Sequence, residues 1–178
     1  MGGFTSLERY APSNQAADRL LPIFARAGPA RAGILHLPQG SRLRREALLR
    51  LMAWGYGQFN ATGQMPAYLW TRDLVINQTA ALLGTTGTFR GRESLQSSIR
   101  ELTDAFNDVR LTPESFIELA KDRLLFTVRF SGSGAGSGIP TDTLIAHVWS
   151  LDLRTGAASR LDVYWEVSEA LEAVGLSE

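Results

Sequence analysis

The chain has 178 residues, 18 basic and 18 acidic side chains and 44% hydrophobic content, the size and composition of one globular domain with a real core. It contains no cysteine and only two histidines, His36 and His147, which excludes disulfides, thiolate catalysis and a histidine-rich metal centre and fits a reducing compartment. No apolar run reaches the roughly 18–20 residues of a membrane span, and no apolar stretch opens the chain as a secretory signal would, so a cytoplasmic protein without a membrane partner is expected.

Charge is unevenly spread. Residues 1–50 carry eight arginines (Arg9, Arg19, Arg26, Arg31, Arg42, Arg44, Arg45, Arg50) against Glu8, Asp18 and Glu46. Residues 1–41, punctuated by Pro12, Pro22, Pro29 and Pro38 and by Gly28, Gly33 and Gly40, read as an irregular N-terminal arm with one short helix near Asn14–Ala27. The arm is expected to dock on its own body or on a twin subunit. A transit peptide is an alternative, while nucleic acid is not expected, because dense basic clusters with stacking aromatics are missing. The remaining domain, 42–178, opens with a helical pattern over Arg42–Phe59, where Leu48, Leu51, Met52, Gly55 and Phe59 share one face. A short helix, Pro66–Thr71, follows, started by its proline. A strand at Leu74–Gln78, a Thr/Gly loop over 79–91 and a helix at Arg92–Phe106 come next, the last with Leu95, Ile99, Leu102 and Phe106 inward.

Four strands are expected at Arg110–Ala120, Arg123–Ser131, Thr143–Leu151 and Ala157–Glu166. Lys121-Asp122 and Arg154-Thr155-Gly156 supply tight turns. Ser131–Gly138 resembles a phosphate cradle only in composition: it lacks a Gly-Lys-Thr/Ser ending and leads into no helix, so it reads as a flexible hairpin tip. Ser168 is expected to cap a final helix, Glu169–Val174, that Gly175 ends. Helices first and a meander after define an α+β fold: a cone-shaped curved antiparallel sheet with about three helices enclosing an apolar pocket.

Several residues strengthen that reading. They are Phe59-Asn60 at the end of the first helix, Asp73-Leu74-Val75 opening the first strand and Phe89-Arg90-Gly91-Arg92-Glu93 before the next helix. Further along stand Val128-Arg129-Phe130, Ala146-His147-Val148-Trp149 and Tyr164-Trp165-Glu166 running into Ala170–Leu176. In order and spacing the chain from about Arg42 to Leu176 resembles the SnoaL-like branch of the nuclear transport factor two-like superfamily. The resemblance implies a small-molecule cavity and a homodimer, in a superfamily holding polyketide cyclases, ketosteroid isomerase, limonene epoxide hydrolase and non-catalytic binders, so fold alone leaves function open. The general base of ketosteroid isomerase matches Gln78 here, or Asn77 with a one-residue slip, and an amide takes no proton at neutral pH. The isomerase's oxyanion acid matches Ala146, and its tyrosine falls near Gly55 or Tyr56. The hydrolase's Asp–Arg–Asp relay matches Phe130, Val128 and Val163, all apolar. Gln78 is able to hold a water as the hydrolase's asparagine does.

Strand alternation puts Phe126, Val128, Phe130, Ala146, Val148, Leu161, Val163 and Trp165 on the concave face and Thr127, Arg129, His147, Trp149, Asp162, Tyr164 and Glu166 on the other. A bulge turning His147 and Arg129 inward is the alternative. The expected ligand contacts are Val128, Phe130, Val148, Val163 and Trp165. The expected catalytic groups are His147, oriented by Asp162 or Glu166 as a general base, with Gln78 and Tyr56 as hydrogen-bonding partners. No cofactor and no metal is expected. Three functions stay open: a cofactor-free cyclase, isomerase or hydrolase on a small apolar molecule, a non-catalytic binder, and an interaction module with a filled cavity.

Overall fold

The computed structural model describes residues 5–6, 15–79 and 87–176. Three helices come first: α1 (Gln15–Arg26), α2 (Gly28–His36) and α3 (Arg42–Thr62). The second corrects the expectation of an irregular run up to residue 41. Pro29 lies in the first turn of α2, where its missing N–H starts a helix instead of breaking one, and burial of Ala32, Ile34 and Leu35 outweighs the weak propensity of Gly33. Ser41 caps α3 by accepting the Arg44 N–H at 3.4 Å, and Gly63, at φ 67°, ends it. The expected helix at 66–71 is a single 3-10 turn, Ala67–Leu69.

One buried side chain ties these helices to the sheet. Arg44, fully buried, donates to the Ile34 carbonyl at 3.2 Å, the Leu35 carbonyl at 2.6 Å and the Lys121 carbonyl at 2.5 Å, and pairs with Glu118 at 2.7 Å. The guanidinium thereby supplies a donor to the Leu35 carbonyl at the end of α2 and a second one to Ile34, which also accepts the Leu37 N–H at 3.1 Å, and pins α2 and α3 to the turn between two strands.

The sheet orders seven strands as β1-β4-β5-β6-β7-β2-β3: β1 (Thr5–Ser6), β2 (Trp70–Gln78), β3 (Gly87–Arg90), β4 (Phe106–Ala120), β5 (Arg123–Gly134), β6 (Pro140–Leu151) and β7 (Ala158–Tyr164). It is curved and unclosed. Five of its six pairings are antiparallel, but β2 and β7 run parallel, which corrects an all-antiparallel sheet. Hairpins force antiparallel pairing; β2 and β7 are far apart in sequence, so no turn fixes their relative direction. Three register breaks in β4, at Asn107/Arg110, Pro113/Ser115 and Glu118/Ala120, with Asp108 at φ 54°, bend the longest strand.

Within the expected 79–91 loop, 87–90 forms β3, while 80–86 lies outside the described residues. The expected glycine loop is largely strand. Pairing of β5 with β6 continues through Ser133↔Pro140, leaving a tip at 135–139, and Gly132 lies so near β4 that a Cβ would meet the Asn107 carbonyl oxygen at 3.1 Å. Helix α4 (Arg92–Ala105) runs as expected to within one residue. Helix α5 (Val167–Ala173) starts at Glu166 without a side-chain cap, not at Ser168. The described residues form five α-helices rather than about three, and no helix among them is long and apolar enough to cross a membrane.

The sheet separates two cores. The larger lies between one face and α3 and α4, with Phe126, Val128, Phe130, Ile145, Trp149 and Leu161 buried there. The smaller lies on the other face, where Leu125, Ala146 and Val148 are covered by Ala170, Leu171 and Val174 of α5.

Candidate functional site

A cavity of about 110 Å³ opens in the larger core. The sheet contributes Ile76 and Gln78 from β2, Phe130 from β5, Ile145, His147 and Trp149 from β6, and Leu161 and Val163 from β7. Helix α4 closes it with Leu95, Ser98, Ile99 and Leu102, a set spaced three and four residues apart so that one face of the helix points inward. A second cavity of about 50 Å³ lies beside it against α3, lined by Leu48, Leu51, Met52, Gly55, Tyr56, Leu69, Leu151 and Ala158; Met65, Trp70 and Trp149 line both.

Polar groups in this apolar surround form a short chain. The Trp149 Nε1–H lies 3.3 Å from the Tyr56 hydroxyl oxygen, which lies 2.6 Å from His147 Nδ1. An indole N–H only donates. The Tyr56 oxygen therefore accepts from Trp149, and its own proton has one acceptor in reach, His147 Nδ1. That assignment fixes the tautomer by proton accounting: Nδ1 is unprotonated and Nε2 carries the hydrogen. Burial pushes the His147 imidazole down from its usual 6.5 to about 4, so it is neutral at pH 7. Burial also pushes the Tyr56 phenol well above its ordinary range, with the Trp149 bond pulling weakly the other way. The ring of His147 thus offers the cavity one fixed donor, Nε2–H, to which no hydrogen bond is formed among the described residues. Gln78, half-buried, and Ser98 are the other polar side chains on its walls. No cluster of potential metal ligands occurs among the described residues.

The structure redistributes the expected site residues. His147 lies on the concave side without any bulge, because the β5–β6 ladder is unbroken and pairs Phe126↔His147 and Val128↔Ile145. Ala146 and Val148 consequently sit on the opposite face beneath α5, so Val148 is corrected from ligand contact to the smaller core. Arg129 does not turn inward; it is exposed and paired with Glu114 at 2.5 Å and Asp142 at 2.8 Å. Phe130 and Val163 line the cavity and Val128 is fully buried in the same core, while Trp165 packs against Phe130 with ring centroids 5.8 Å apart and lines neither cavity. Asp162 is engaged by Arg160 at 2.7 Å and Glu166 is exposed, so neither orients His147; Tyr56, placed by α3, does. This corrects the expected carboxylate-assisted base, since Nε2 already carries its proton. Gln78 reaches the cavity, while Asn77 faces away and accepts from Thr88 at 3.3 Å. Ser98 and Ile145 join the lining without a separate sequence signal for a ligand contact, although the period of α4 that marks Leu95, Ile99 and Leu102 places Ser98 on the same face.

No protein-family model matches this sequence, and no curated protein matches it significantly. Its three-dimensional arrangement is nevertheless shared with solved structures. A protein with ketosteroid isomerase-like fold from Catenulispora acidiphila, solved in complex with trimethylamine, superposes with TM-score 0.52 at 19% identity, covering 71% of this chain and 92% of that one. A nuclear transport factor two-like protein from Anabaena variabilis gives 0.53 at 16% identity over 65% of this chain and 84% of its own. SalBIII, an epoxide hydrolase/cyclase-like enzyme in pyran ring formation in the polyether salinomycin, gives 0.52 at 14% identity over 65% and 87%. The chain therefore has the cone-shaped α+β fold of the ketosteroid isomerase-like and nuclear transport factor two-like proteins, and at these identities the likeness is one of fold.

Proposed function

We propose that the chain holds a small, mostly apolar molecule that carries a hydrogen-bond acceptor, such as a carbonyl or ether oxygen, on the Nε2–H of His147. The observation that carries this reading is the Trp149–Tyr56–His147 chain of hydrogen bonds, which aims one fixed neutral donor into an apolar space. Few polar groups suffice to orient a ligand in such a pocket, and Gln78 supplies a second contact that donates or accepts. The 110 Å³ volume is of the order of the roughly 150 Å³ apolar cavity that accommodates benzene, so the ligand is small.

A catalytic reading of cyclase, isomerase or hydrolase type has one observation in its favour. A neutral N–H held in an apolar cavity is suited to stabilising developing negative charge on a ligand oxygen. Against it, His147 has no free lone pair for a proton, and Gln78 stands where a base is needed. Binding without chemistry is therefore the main reading. The homodimer implied by the resemblance belongs to the same proposal, and sedimentation of the purified chain at micromolar concentration reads it; a monomer removes it.

The binding test compares 2-butanone with 2-methyl-1-butene, its isosteric hydrocarbon, by NMR titration of the protein. A hydrogen bond worth about 1 kcal/mol makes the ketone about fivefold tighter and moves the His147 Nε2 resonance, and His147→Phe abolishes both effects. Equal affinity for the two probes, or no shift at Nε2, overturns the proposal.

A further inference from the structure

We infer that the binding site is bipartite: the ligand of the proposed pocket continues past Met65, Trp70 and Trp149 into the second cavity, so that its class is an oxygen-bearing head with a slender apolar tail. The inference rests on the proposed head contact at His147 and adds the tail compartment. The two cavities, about 110 and 50 Å³, share those three side chains as walls. The partition is thin. The Trp149 ring lies 5.9 Å from the His147 ring and 5.1 Å from the Trp70 ring, so one layer of side chains separates the donor from the second space. One member of that layer is a methionine, whose unbranched thioether changes rotamer at little cost.

The chemistry of the two compartments differs. The larger holds His147, Gln78 and Ser98, whereas the smaller is bounded by the aliphatic Leu51, Met52, Leu69 and Leu151 and by Tyr56, whose hydroxyl is already committed to His147 and Trp149. A polar head has partners on one side only, and an alkyl tail is the group that fits the other. Trp70 adds an independent mark. It is buried to 3% exposure, it lines both cavities, and its Nε1–H has no hydrogen-bond partner. Buried donors are rarely left unpaired in a finished structure, and the head's oxygen, with a second lone pair beyond the one His147 takes, is the acceptor the proposed ligand offers this one. Gly55 explains how room for the tail arises. A Cβ at this position would meet only the Leu69 Cδ1, at an ordinary 3.6 Å, so glycine here answers no backbone demand and leaves the second space empty.

The test uses the full chain and two methyl ketones, 2-butanone as head and 2-heptanone as head plus three methylenes. The wild-type protein is expected to bind 2-heptanone at least tenfold more tightly. Nuclear Overhauser contacts are expected from the heptanone chain end to the methyls of Met52 and Leu151, which line the smaller cavity alone, and from the ketone methyl to Leu102. Gly55→Leu fills the smaller cavity and is expected to abolish the tenfold ratio between the two ketones. The chain-end contacts in the wild-type protein decide the matter even where that variant does not fold. If 2-heptanone binds with its chain end against Ile99 or Leu102 and never reaches Met52 or Leu151, or if Gly55→Leu keeps the ratio, the bipartite site is refuted while the head contact stands. If neither ketone shifts the His147 signal, the proposed function itself falls and takes the tail with it.

Discussion

The neutral, buried imidazole of His147 makes a prediction about acid stability whose sign and size follow from its surroundings. In the unfolded chain a histidine titrates near 6.5; in the fold burial lowers this to about 4. Between those values the unfolded chain binds a proton that the native protein refuses, so unfolding is favoured progressively as pH falls. The contribution is fully present above pH 6.5 and is lost as pH drops through 4. Two and a half units at about 1.36 kcal/mol each give about 3 kcal/mol. Structure supplies the reason for refusal: protonation at Nδ1 would set a donor against the Tyr56 hydroxyl at 2.6 Å, inside a core where no carboxylate faces the ring. Carboxylates elsewhere also destabilise the protein in acid, so the informative quantity is a difference. Urea denaturation of wild type and His147→Gln, followed by tryptophan fluorescence from pH 7.5 to 4, isolates it, because glutamine keeps an acceptor for Tyr56 but does not titrate. The wild type is expected to lose about 3 kcal/mol more than the variant over that range. Parallel curves would refute the buried neutral histidine and, with it, the fixed donor on which the site depends.

Two further predictions concern the same framework. Tyr56→Phe leaves the His147 Nδ1 and the Trp149 N–H without partners; at about 1–3 kcal/mol for a buried orphan, a loss of about 2 kcal/mol is expected. That corresponds to a melting temperature lower by about 4–8 °C at this chain length, which calorimetry reads, and the nitrogen NMR signature of a single Nε2–H tautomer should be lost with it. Arg44→Met takes the 2.7 Å partner from the buried Glu118 carboxylate, 5% exposed at its side chain, leaving it the longer contacts to Arg45 at 3.7 Å and the Gly40 N–H at 3.5 Å, and removes a donor from the carbonyls of Ile34, Leu35 and Lys121. Breaking a buried pair from one side costs about 3–5 kcal/mol, so the variant should unfold at markedly lower urea, and adding Glu118→Leu should recover part of the loss but not the share owed to the carbonyls.

The fold was legible where a local pattern has one physical solution. Spacing of Leu48, Leu51, Gly55 and Phe59 specifies α3, Leu95, Ile99 and Leu102 specify α4, and the turns at Lys121-Asp122 and Arg154–Gly156 separate β4, β5, β6 and β7 almost where they are observed. What escaped was set by partners distant in sequence. Helix α2 draws donors for its last carbonyls from Arg44 on the next helix. The glycine-rich stretch at 131–134 is strand because it pairs with β4, which runs so close that a Cβ at 132 would meet the Asn107 carbonyl oxygen at 3.1 Å. Parallel docking of β2 on β7 involves no turn at all.

The site shows the same division more sharply, because a single strand decides it. In β6 five consecutive residues, 145–149, are buried, so alternation has no polar side to mark and either parity satisfies it. Taking Ala146 and Val148 as concave put His147 outside and called for a bulge to bring it in. The true parity follows from a second demand. Helix α5 carries Val167, Ala170, Leu171 and Val174 toward the sheet, and a helix needs a close-packed seat; Leu125, Ala146 and Val148 form it. Once one face of β6 is spent on α5, Ile145, His147 and Trp149 are left for the cavity, and the histidine arrives between Trp149 and the one hydroxyl that α3 can aim at it. The apolar pattern that hid the register is thus the consequence of a strand sandwiched between two cores, and a histidine in such a strand can stay neutral only if one ring nitrogen is satisfied from within. Tyr56 does that here, which is why the second nitrogen, and not the first, is the one left without a partner on the cavity wall.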